Sequence, residues 1–154
     1  MELAFSVFAF ISKSPHEVFE AVADPRQLSK YFTTGGALGR LESGATVTWD
    51  FADFPGAFPV EVVEVVPDAR IVLRWKANEP DEADVPDYRT EVVFAFAPLD
   101  DGARTKVTVS ESGWRETPGG LKASFGNCMG WAQMLCALKC WVERGFNLRE
   151  GMYK

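Results

Sequence analysis

The chain contains one histidine, His16, and this restricts the nucleophilic chemistry that it can support. A serine or cysteine nucleophile usually needs a neighbouring general base, most often histidine. His16 would have to be that base, yet it lies in the first turn of a predicted helix, where we expect a solvated side chain. A Gly-x-Ser-x-Gly nucleophile motif does not occur in the sequence. We therefore assign no catalytic residue, and the sequence favours a protein that is not an enzyme.

The three cysteines, Cys128, Cys136 and Cys140, all fall on one predicted helix. An odd number of cysteines on a single helix is not a disulfide framework. A structural zinc site needs four ligands, and the lone histidine is remote in sequence. We predict no metal and no cofactor, and we expect these thiols to pack as small apolar groups. The cysteine pattern indicates a reducing compartment, hence a cytoplasmic location.

An acidic, proline-bearing segment contains the carboxylates of Asp81, Glu82, Asp84 and Asp87. Four carboxylates could bind calcium, but their spacing and the missing glycine do not match an EF-hand loop. The pattern predicts an exposed, solvated loop. A lid or a contact with a partner remains open.

Glu111 is the carboxylate best placed to do chemistry. It follows Val107 and Val109 at two-residue spacing, so strict strand alternation puts it on the covered face of a sheet. A carboxylate in apolar surroundings is costly unless it is paired or protonated. Glu111 could then anchor a ligand or act as a general acid, or the strand could bulge and leave it wet or bridged to a cation. Glu64 faces the same alternatives if it is level with Leu73.

The element that must position these groups is a predicted helix from Leu121 to Phe146, which is apolar over most of its circumference. Such a helix must lie against a large apolar surface, here the predicted sheet. Gly126 and Gly130 each cost roughly 1 kcal/mol inside a helix, so they need a reason such as close approach of the sheet, a ligand or a partner. The sheet-facing arc is predicted to contain Leu121, Phe125, Cys128, Trp131, Ala132, Leu135, Leu138, Val142 and Phe146, with Met134 and Trp141 at its margin. The predicted water-facing stripe contains Lys122, Gln133 and Arg144.

The rest of the chain reads mainly as strands. Two tandem short helices follow the first strand, because Ser14-Pro15 and Asp24-Pro25 are both helix-start signals. The alternating segments predict an α+β fold with a curved antiparallel sheet of six to seven strands, one face wet and one covered. The predicted strands are Leu3–Ile11, Ala45–Phe51, Phe58–Val66, Ile71–Lys76, Arg89–Pro98 and Thr105–Ser112, with a short edge strand near Leu38–Leu41.

Length and charge exclude several classes of protein. The 154 residues fit one domain, residues 1–154, and 47% hydrophobic residues can build a full core. A net charge of −6 without a long basic run opposes nucleic-acid binding. The opening residues do not have the form of a signal peptide, and no run of about 18 apolar residues predicts a membrane span.

Several runs of turns and apolar positions together resemble a known pattern. They are Ser14–Phe19, Asp24-Pro25, Val47–Phe51, Val65–Trp75, Glu111–Trp114, and Gly130-Trp131 with Leu135 and Leu138. The chain resembles the START-like (SRPBCC, birch-pollen-allergen-like) superfamily and, within it, bacterial homologues of the activator of heat shock protein 90 ATPase (AHSA-like). This resemblance implies a helix-grip fold, in which the sheet wraps around the long C-terminal helix.

The resemblance also implies a cavity between sheet and helix that binds a small hydrophobic or lipid-like molecule. Large aromatic rings and the two helix glycines favour incomplete filling of that space. The residues expected to line it are Trp49, Phe51, Leu73, Trp75, Phe94, Phe96, Val109, Glu111, Trp114, Phe125, Cys128, Trp131 and Leu135.

Two other functions remain open from the resemblance. One is a co-chaperone-like module that binds a chaperone or another protein, for instance in a stress response, which predicts an exposed patch and a filled cavity. The other is an enzyme of the polyketide cyclase or dehydratase kind that uses a carboxylate in the cavity. Either a monomer or a homodimer is compatible with the sequence, and fold alone does not choose a function.

Overall fold

The computed structural model describes residues 1–79 and 85–154. The strands are β1 (Leu3–Ile11), β2 (Gly36–Leu38), β3 (Thr46–Phe51), β4 (Phe54–Val66), β5 (Arg70–Lys76), β6 (Arg89–Leu99) and β7 (Arg104–Trp114). The helices are α1 (Pro15–Ala23), α2 (Pro25–Leu28) and α3 (Pro118–Arg144), and a single 3-10 turn, Asp100–Gly102, joins β6 to β7. The predicted element order is confirmed.

The strands form one seven-stranded sheet in the order β1-β7-β6-β5-β4-β3-β2. Every neighbouring pair is antiparallel. The sheet curves around α3, and α1 and α2 follow β1 as predicted, so the α+β helix-grip architecture is confirmed. The acidic residues Asp81, Glu82 and Asp84 lie outside the described residues, whereas Asp87 is described.

The helix starts follow from local sequence. Ser14 and Glu17 form a reciprocal capping box at α1, and the Asp24 carboxylate accepts a hydrogen bond from the backbone N–H of Arg26 at α2. Thr117 caps α3 by accepting from the N–H of Gly120 at 3.1 Å. A capping threonine followed by Pro118 therefore starts α3 three residues before the predicted Leu121.

Two element ends differ from the prediction for backbone reasons. The last helix ends at Arg144 because Gly145 adopts φ 68°, a left-handed conformation that terminates helices. Strand β7 continues past Ser112 to Trp114 because Gly113, at φ 102°, sits where the β1–β7 register shifts and absorbs the irregularity as a bulge.

The buried face of α3 is turned around the helix from the predicted arc. It contains Trp131, Leu135 and Leu138, as expected, and Met134 from the margin of the predicted arc, but also Ser124, which was not predicted. The predicted positions of Leu121, Phe125 and Phe146 on the sheet side are wrong: these residues are 41%, 67% and 62% exposed. Ala132, predicted on the same side, is exposed as well. The helix carries two adjoining apolar stripes, and hydropathy alone does not say which of them meets the sheet. The predicted arc straddles both.

The main core fills the space between one end of the sheet and the C-terminal half of α3. It contains Ile11, Val18, Val22, Ile71, Phe94, Phe96, Val107, Leu135 and Leu138, all at most 4% exposed. We call this region the filled half. At the other end, where the N-terminal half of α3 crosses the ends of β5 and β7, the packing is incomplete.

Candidate functional site

A cavity of about 1010 Å³ lies between the N-terminal half of α3 and the β3–β5 end of the sheet. We call it the sheet–helix cavity. Its inner walls are aromatic rings from five different segments: Phe32, Phe51, Phe58, Trp75 and Trp131. Neighbouring rings are in contact, with centroids 5.4 Å apart for Trp75 and Trp131 and 5.7 Å for Phe51 and Phe58. The walls therefore offer flat apolar faces rather than flexible aliphatic chains.

The Glu111 carboxylate lies beneath these walls and is fully buried. One oxygen accepts from the indole N–H of Trp131 at 2.7 Å, and the other from the indole N–H of Trp75 at 3.0 Å and the hydroxyl of Thr90 at 2.6 Å. The Asn127 amide lies 3.1 Å from both oxygens. Strand alternation thus predicted the buried face correctly, and the bulge comes two residues later, at Gly113.

The partners of Glu111 indicate what this carboxylate does. All four donors are neutral side chains, and together they engage both oxygens. A buried carboxylate with satisfied oxygens is a fixed acceptor that orients its donors. Here two of the donors are the indoles that face the cavity, so Glu111 sets the orientation of two cavity walls.

The helix side of the cavity lacks side chains at two positions one turn apart. Gly126 and Gly130 both line the cavity, and a Cβ built on either would meet nothing within 4 Å. Close approach of the sheet is therefore not the reason for these glycines. They leave space that larger residues would fill, and Asn127 and Met129 complete this wall.

The C-terminal tail folds back and closes one end of the cavity. The guanidinium of Arg149 makes two hydrogen bonds of 2.9 Å with Asp53, in the turn between β3 and β4. It also stacks over Phe51, 4.6 Å from the ring centroid. The Tyr153 hydroxyl donates a hydrogen bond to the Gln133 side-chain oxygen at 2.6 Å, and burial raises the pKa of this phenol. Gln133, predicted to face water, is half-buried by this contact.

The opposite side of the cavity opens because the sheet divides. The pairing of β4 with β5 stops at Glu61–Arg74. Beyond that point β5 continues along β6 to Lys76–Arg89, and β4 continues along β3. Pro59, just past the last β4–β5 pair, has no N–H to donate to a neighbouring strand. We call this gap the sheet split.

Charged residues surround the sheet split, and each cation contacts a carboxylate. Arg74 donates to Glu91 at 3.1 Å, and the Lys76 ammonium lies 3.3 Å from Asp87. Arg89 pairs with Glu61. All six side chains are at least 39% exposed. Five of them, all except Glu91, line the cavity, so it reaches through the split to the outer face of the sheet.

The structure brings only part of the predicted site together. Phe51, Trp75 and Trp131 line the cavity, and Glu111 lies directly beneath it. Cys128 is half-buried and is not among the lining residues. A further group forms the solid core next to the cavity instead of its surface: Trp49, Leu73, Phe94, Phe96, Val109 and Leu135.

Two other positions, Trp114 and Phe125, differ from the expectation. Trp114 packs in a separate small cluster with Ala77 and Ala123. Phe125 is exposed to solvent, because the buried face of α3 is rotated about the helix axis relative to the predicted arc. Of the two alternatives left open for Glu64, the structure has the bulged strand: a bulge after Val62 shifts the register away from Leu73. The Glu64 side chain is 48% exposed and lies 3.8 Å from Arg70.

Five residues of this site were not predicted from the sequence: Phe32, Phe58, Asn127, Arg149 and Tyr153. Phe58 shares the two-residue alternation of Val60 and Val62, so strand pattern alone could have placed it on the inner face. Asn127 lies four residues before Trp131, and this spacing could have indicated a shared helix face. No local signal identifies the tail residues, because their contacts join distant parts of the chain.

His16 lies outside this cavity, beside a smaller polar groove of about 420 Å³ between α1 and the end of α3. Its Nδ1 is 2.9 Å from the Asp68 carboxylate, and this hydrogen bond, together with the charge of Asp68, raises the pKa of His16 above 6.5. The imidazole is exposed, and its partner Asp68 lies in the turn between β4 and β5. Nothing in this arrangement presents a nucleophile to it.

Among residues 1–79 and 85–154, no group of three or more His, Cys, Asp or Glu side chains is arranged to hold a metal ion. The three cysteines are free. Within the same residues, none of the helices is long and apolar enough to cross a membrane.

Comparison with protein families gives one clear match. Residues 12–143 match the family model described as Activator of Hsp90 ATPase homolog 1-like protein. No curated protein sequence matches the chain.

Solved structures share the fold along almost the whole chain. Protein MLL2253 from Mesorhizobium loti is 25% identical with a TM-score of 0.75, and the alignment covers 93% of this chain and 98% of that one. The Aha1 dimer from Colwellia psychrerythraea is 22% identical with a TM-score of 0.71, covering 92% and 97%. DynU16, from the dynemicin biosynthetic locus, is 26% identical with a TM-score of 0.74; 92% of this chain aligns with 48% of that one.

Proposed function

The chain belongs to the family of Activator of Hsp90 ATPase homolog 1-like proteins, and from this premise we propose that it binds a small, mostly apolar molecule in the sheet–helix cavity without changing it chemically. The observation that carries the proposal is the pair of helix glycines facing open space across from ordered aromatic walls. Ligand sites are typically concave, largely apolar and preformed, with few polar groups.

The aromatic walls favour a flat ligand. Trp75 and Trp131 are held by hydrogen bonds to Glu111, so their ring faces keep one orientation. A ligand that buries roughly 200 Å² of apolar surface against such rings gains about 5 kcal/mol from burial. Part of this gain is offset by the loss of translational and rotational freedom. Micromolar rather than picomolar affinity is the corresponding expectation.

The hydrogen bonds of Glu111 favour binding over catalysis by this carboxylate. A general acid or base must reach the reacting group directly or through one water. Both oxygens of Glu111 already accept from protein donors, and two indoles separate them from the open space. Glu111 therefore acts as an internal anchor in this proposal, which makes the cyclase or dehydratase alternative less favoured.

Titration with the neutral fluorophore N-phenylnaphthylamine tests the proposal. We expect saturable binding with one site per chain in the wild type. Gly130→Leu places a side chain into the cavity while improving helix propensity, so binding is lost although the fold is kept. Ala132→Leu is the matched control, because Ala132 lies on the same helix, is exposed and does not line the cavity. Binding that survives Gly130→Leu, or that is absent in the wild type, contradicts the proposal.

A second candidate function is supported by one exposed surface. Leu121, Phe125 and Met129 form a stripe along α3 and are 41%, 67% and 57% exposed. The family description names an Hsp90 ATPase activator, so the partner we consider is an Hsp90-type ATPase of the source cell. Stimulation of that ATPase by the purified chain, abolished by Phe125→Ser, would support this function. The open cavity favours ligand binding, since a pure interaction module needs no internal space.

The free thiols on α3 support a cytoplasmic location. The neighbour from Colwellia psychrerythraea is described as a dimer, and either a monomer or a homodimer is compatible with our proposal. Sedimentation analysis of the purified chain distinguishes the two states.

A further inference from the structure

The charges around the sheet–helix cavity are not distributed like those of the whole chain. The chain has a net charge of −6. The described lining residues nevertheless contain four cations, Arg74, Lys76, Arg89 and Arg149, and two carboxylates, Glu61 and Asp87. The cations therefore outnumber the acids at the cavity, although they are outnumbered in the sequence.

Three of these cations lie together at the sheet split. Arg74 and Lys76 are on one side of β5, and Arg89 is opposite Lys76 on β6. The split leads from this outer face to the ring of Trp75, which belongs to the inner wall. A molecule that lies against the aromatic walls can thus extend one end to the cations.

These cations can exchange partners at small cost. Their contacts with Glu91, Asp87 and Glu61 are exposed ion pairs, which contribute little to stability. Arg74 uses its Nε in the contact with Glu91, and a guanidinium carries five N–H donors in a planar fork. Such a fork matches a carboxylate, sulfonate or phosphate.

Arg149 differs from these three cations. It is 8% exposed, and its charge is already paired with Asp53 through two hydrogen bonds. This pair closes the other end of the cavity. The polar end of the cavity is therefore the split and not the tail.

We propose that the ligand is an anionic amphiphile whose flat apolar part lies against Trp75 and Trp131 and whose anionic group binds Arg74, Lys76 and Arg89 at the sheet split. This proposal rests on the binding function proposed above. It adds the chemical class of the ligand and its direction in the cavity, with the charged group toward the outer face of the sheet.

Two probes with the same aromatic scaffold test the proposal. Anilinonaphthalene sulfonate carries an anionic group, and N-phenylnaphthylamine lacks it. Wild-type protein should bind the sulfonate more tightly, and Arg74→Gln should weaken sulfonate binding roughly threefold to tenfold without changing binding of the neutral probe. Salt should weaken binding of the sulfonate alone.

Arg70→Gln is the matched control. Arg70 lies four residues earlier on the same strand, is 51% exposed compared with 48% for Arg74, and also contacts a glutamate, but it does not line the cavity. We expect it to leave the binding of both probes unchanged. Lys76→Gln is a second test variant in case Arg74→Gln disturbs folding, which circular dichroism reports.

The outcomes separate the two proposals. If the neutral probe binds in the cavity but Arg74→Gln and Lys76→Gln weaken both probes equally or neither, the anionic class is wrong and the binding function stands. If Gly130→Leu leaves sulfonate binding intact, the sulfonate binds elsewhere and the proposal is overturned. If neither probe binds the wild type, the binding function itself fails.

Discussion

The two halves of the sheet–helix interface are built from the same elements but packed in opposite ways. In the filled half, α3 presents Met134, Leu135 and Leu138 to the sheet, and all three are at most 2% exposed. In the cavity half, one or two turns earlier, the same helix presents Gly126 and Gly130. The sheet contributes large residues to both halves.

This difference indicates that the helix sequence contributes strongly to where the interface is hollow. Protein interiors normally pack at high density, so space is kept open only where side chains are missing and the walls cannot collapse. Here collapse is opposed by the rings of Trp75 and Trp131, which Glu111 holds in place. A cavity thus needs both the glycines and the anchored aromatic walls.

The largest effect on stability should come from the filled half. Leu138→Ala removes a fully buried side chain and should lower the free energy of unfolding by about 3 kcal/mol, measured by urea denaturation. Leu121→Ala on the exposed side of the same helix should have little effect. Binding of N-phenylnaphthylamine to Leu138→Ala should persist below its unfolding transition. Loss of binding there would show that the two halves are not independent.

Glu111→Gln should affect both stability and binding. The new amide group replaces one carboxylate oxygen and faces donors that then lack an acceptor, which should cost about 2 to 3 kcal/mol. The affinity for N-phenylnaphthylamine should also fall, because the indoles of Trp75 and Trp131 lose the shared acceptor that orients them. Glu64→Gln, at an exposed position of the same sheet that does not line the cavity, is the control. An unchanged denaturation midpoint for Glu111→Gln would refute the anchoring role.

Alanine substitutions at two glycines of α3 should change the stability of the fold in opposite directions. Gly126→Ala meets open space and should stabilise the fold by about 0.5 to 1 kcal/mol, because alanine is the better helix former. At Gly120 a Cβ would collide with the carbonyl oxygen of Arg115, so Gly120→Ala should destabilise the fold. Thermal unfolding of both variants checks this. Destabilisation by Gly126→Ala would mean that the cavity wall is tighter than the structure indicates.

The smallest effect concerns pH at the edge of the filled half. Asp68 raises the pKa of His16 in the folded protein above 6.5. The pairing therefore stabilises the fold fully at pH values below the His16 pKa of the unfolded chain. This stabilisation is lost as the pH rises through the His16 pKa of the folded protein. An NMR titration of the single histidine should give the raised pKa, and Asp68→Asn should return it toward 6.5. Probe binding should not follow this titration, since His16 does not line the cavity.

Residues governed by local periodicity were predictable, and residues governed by register or distant contacts were not. Alternation along β7 correctly placed Glu111 on the covered face. For Glu64 alternation could not choose between a covered carboxylate and a bulged strand, and the bulge in β4 after Val62 decides for the second. Phe125 was misplaced because apolar residues continue around α3 beyond the buried face. Arg149 could not be predicted, since its partner Asp53 is 96 residues away in the sequence.

The sheet split has a mechanical consequence. Strands β3 and β4 past Glu61 are tied to each other but not to β5, whereas the end of β5 is tied to β6. The sheet therefore has two parts, one ending in β4 and the other in β5. They are joined only along the β4–β5 ladder, from the pair Val66–Arg70 to the pair Glu61–Arg74. Rotation of one part about this ladder would widen the sheet split without breaking a backbone pair. In the binding function that we propose, this freedom would let the cavity take ligands of different thickness while the backbone hydrogen bonds stay intact.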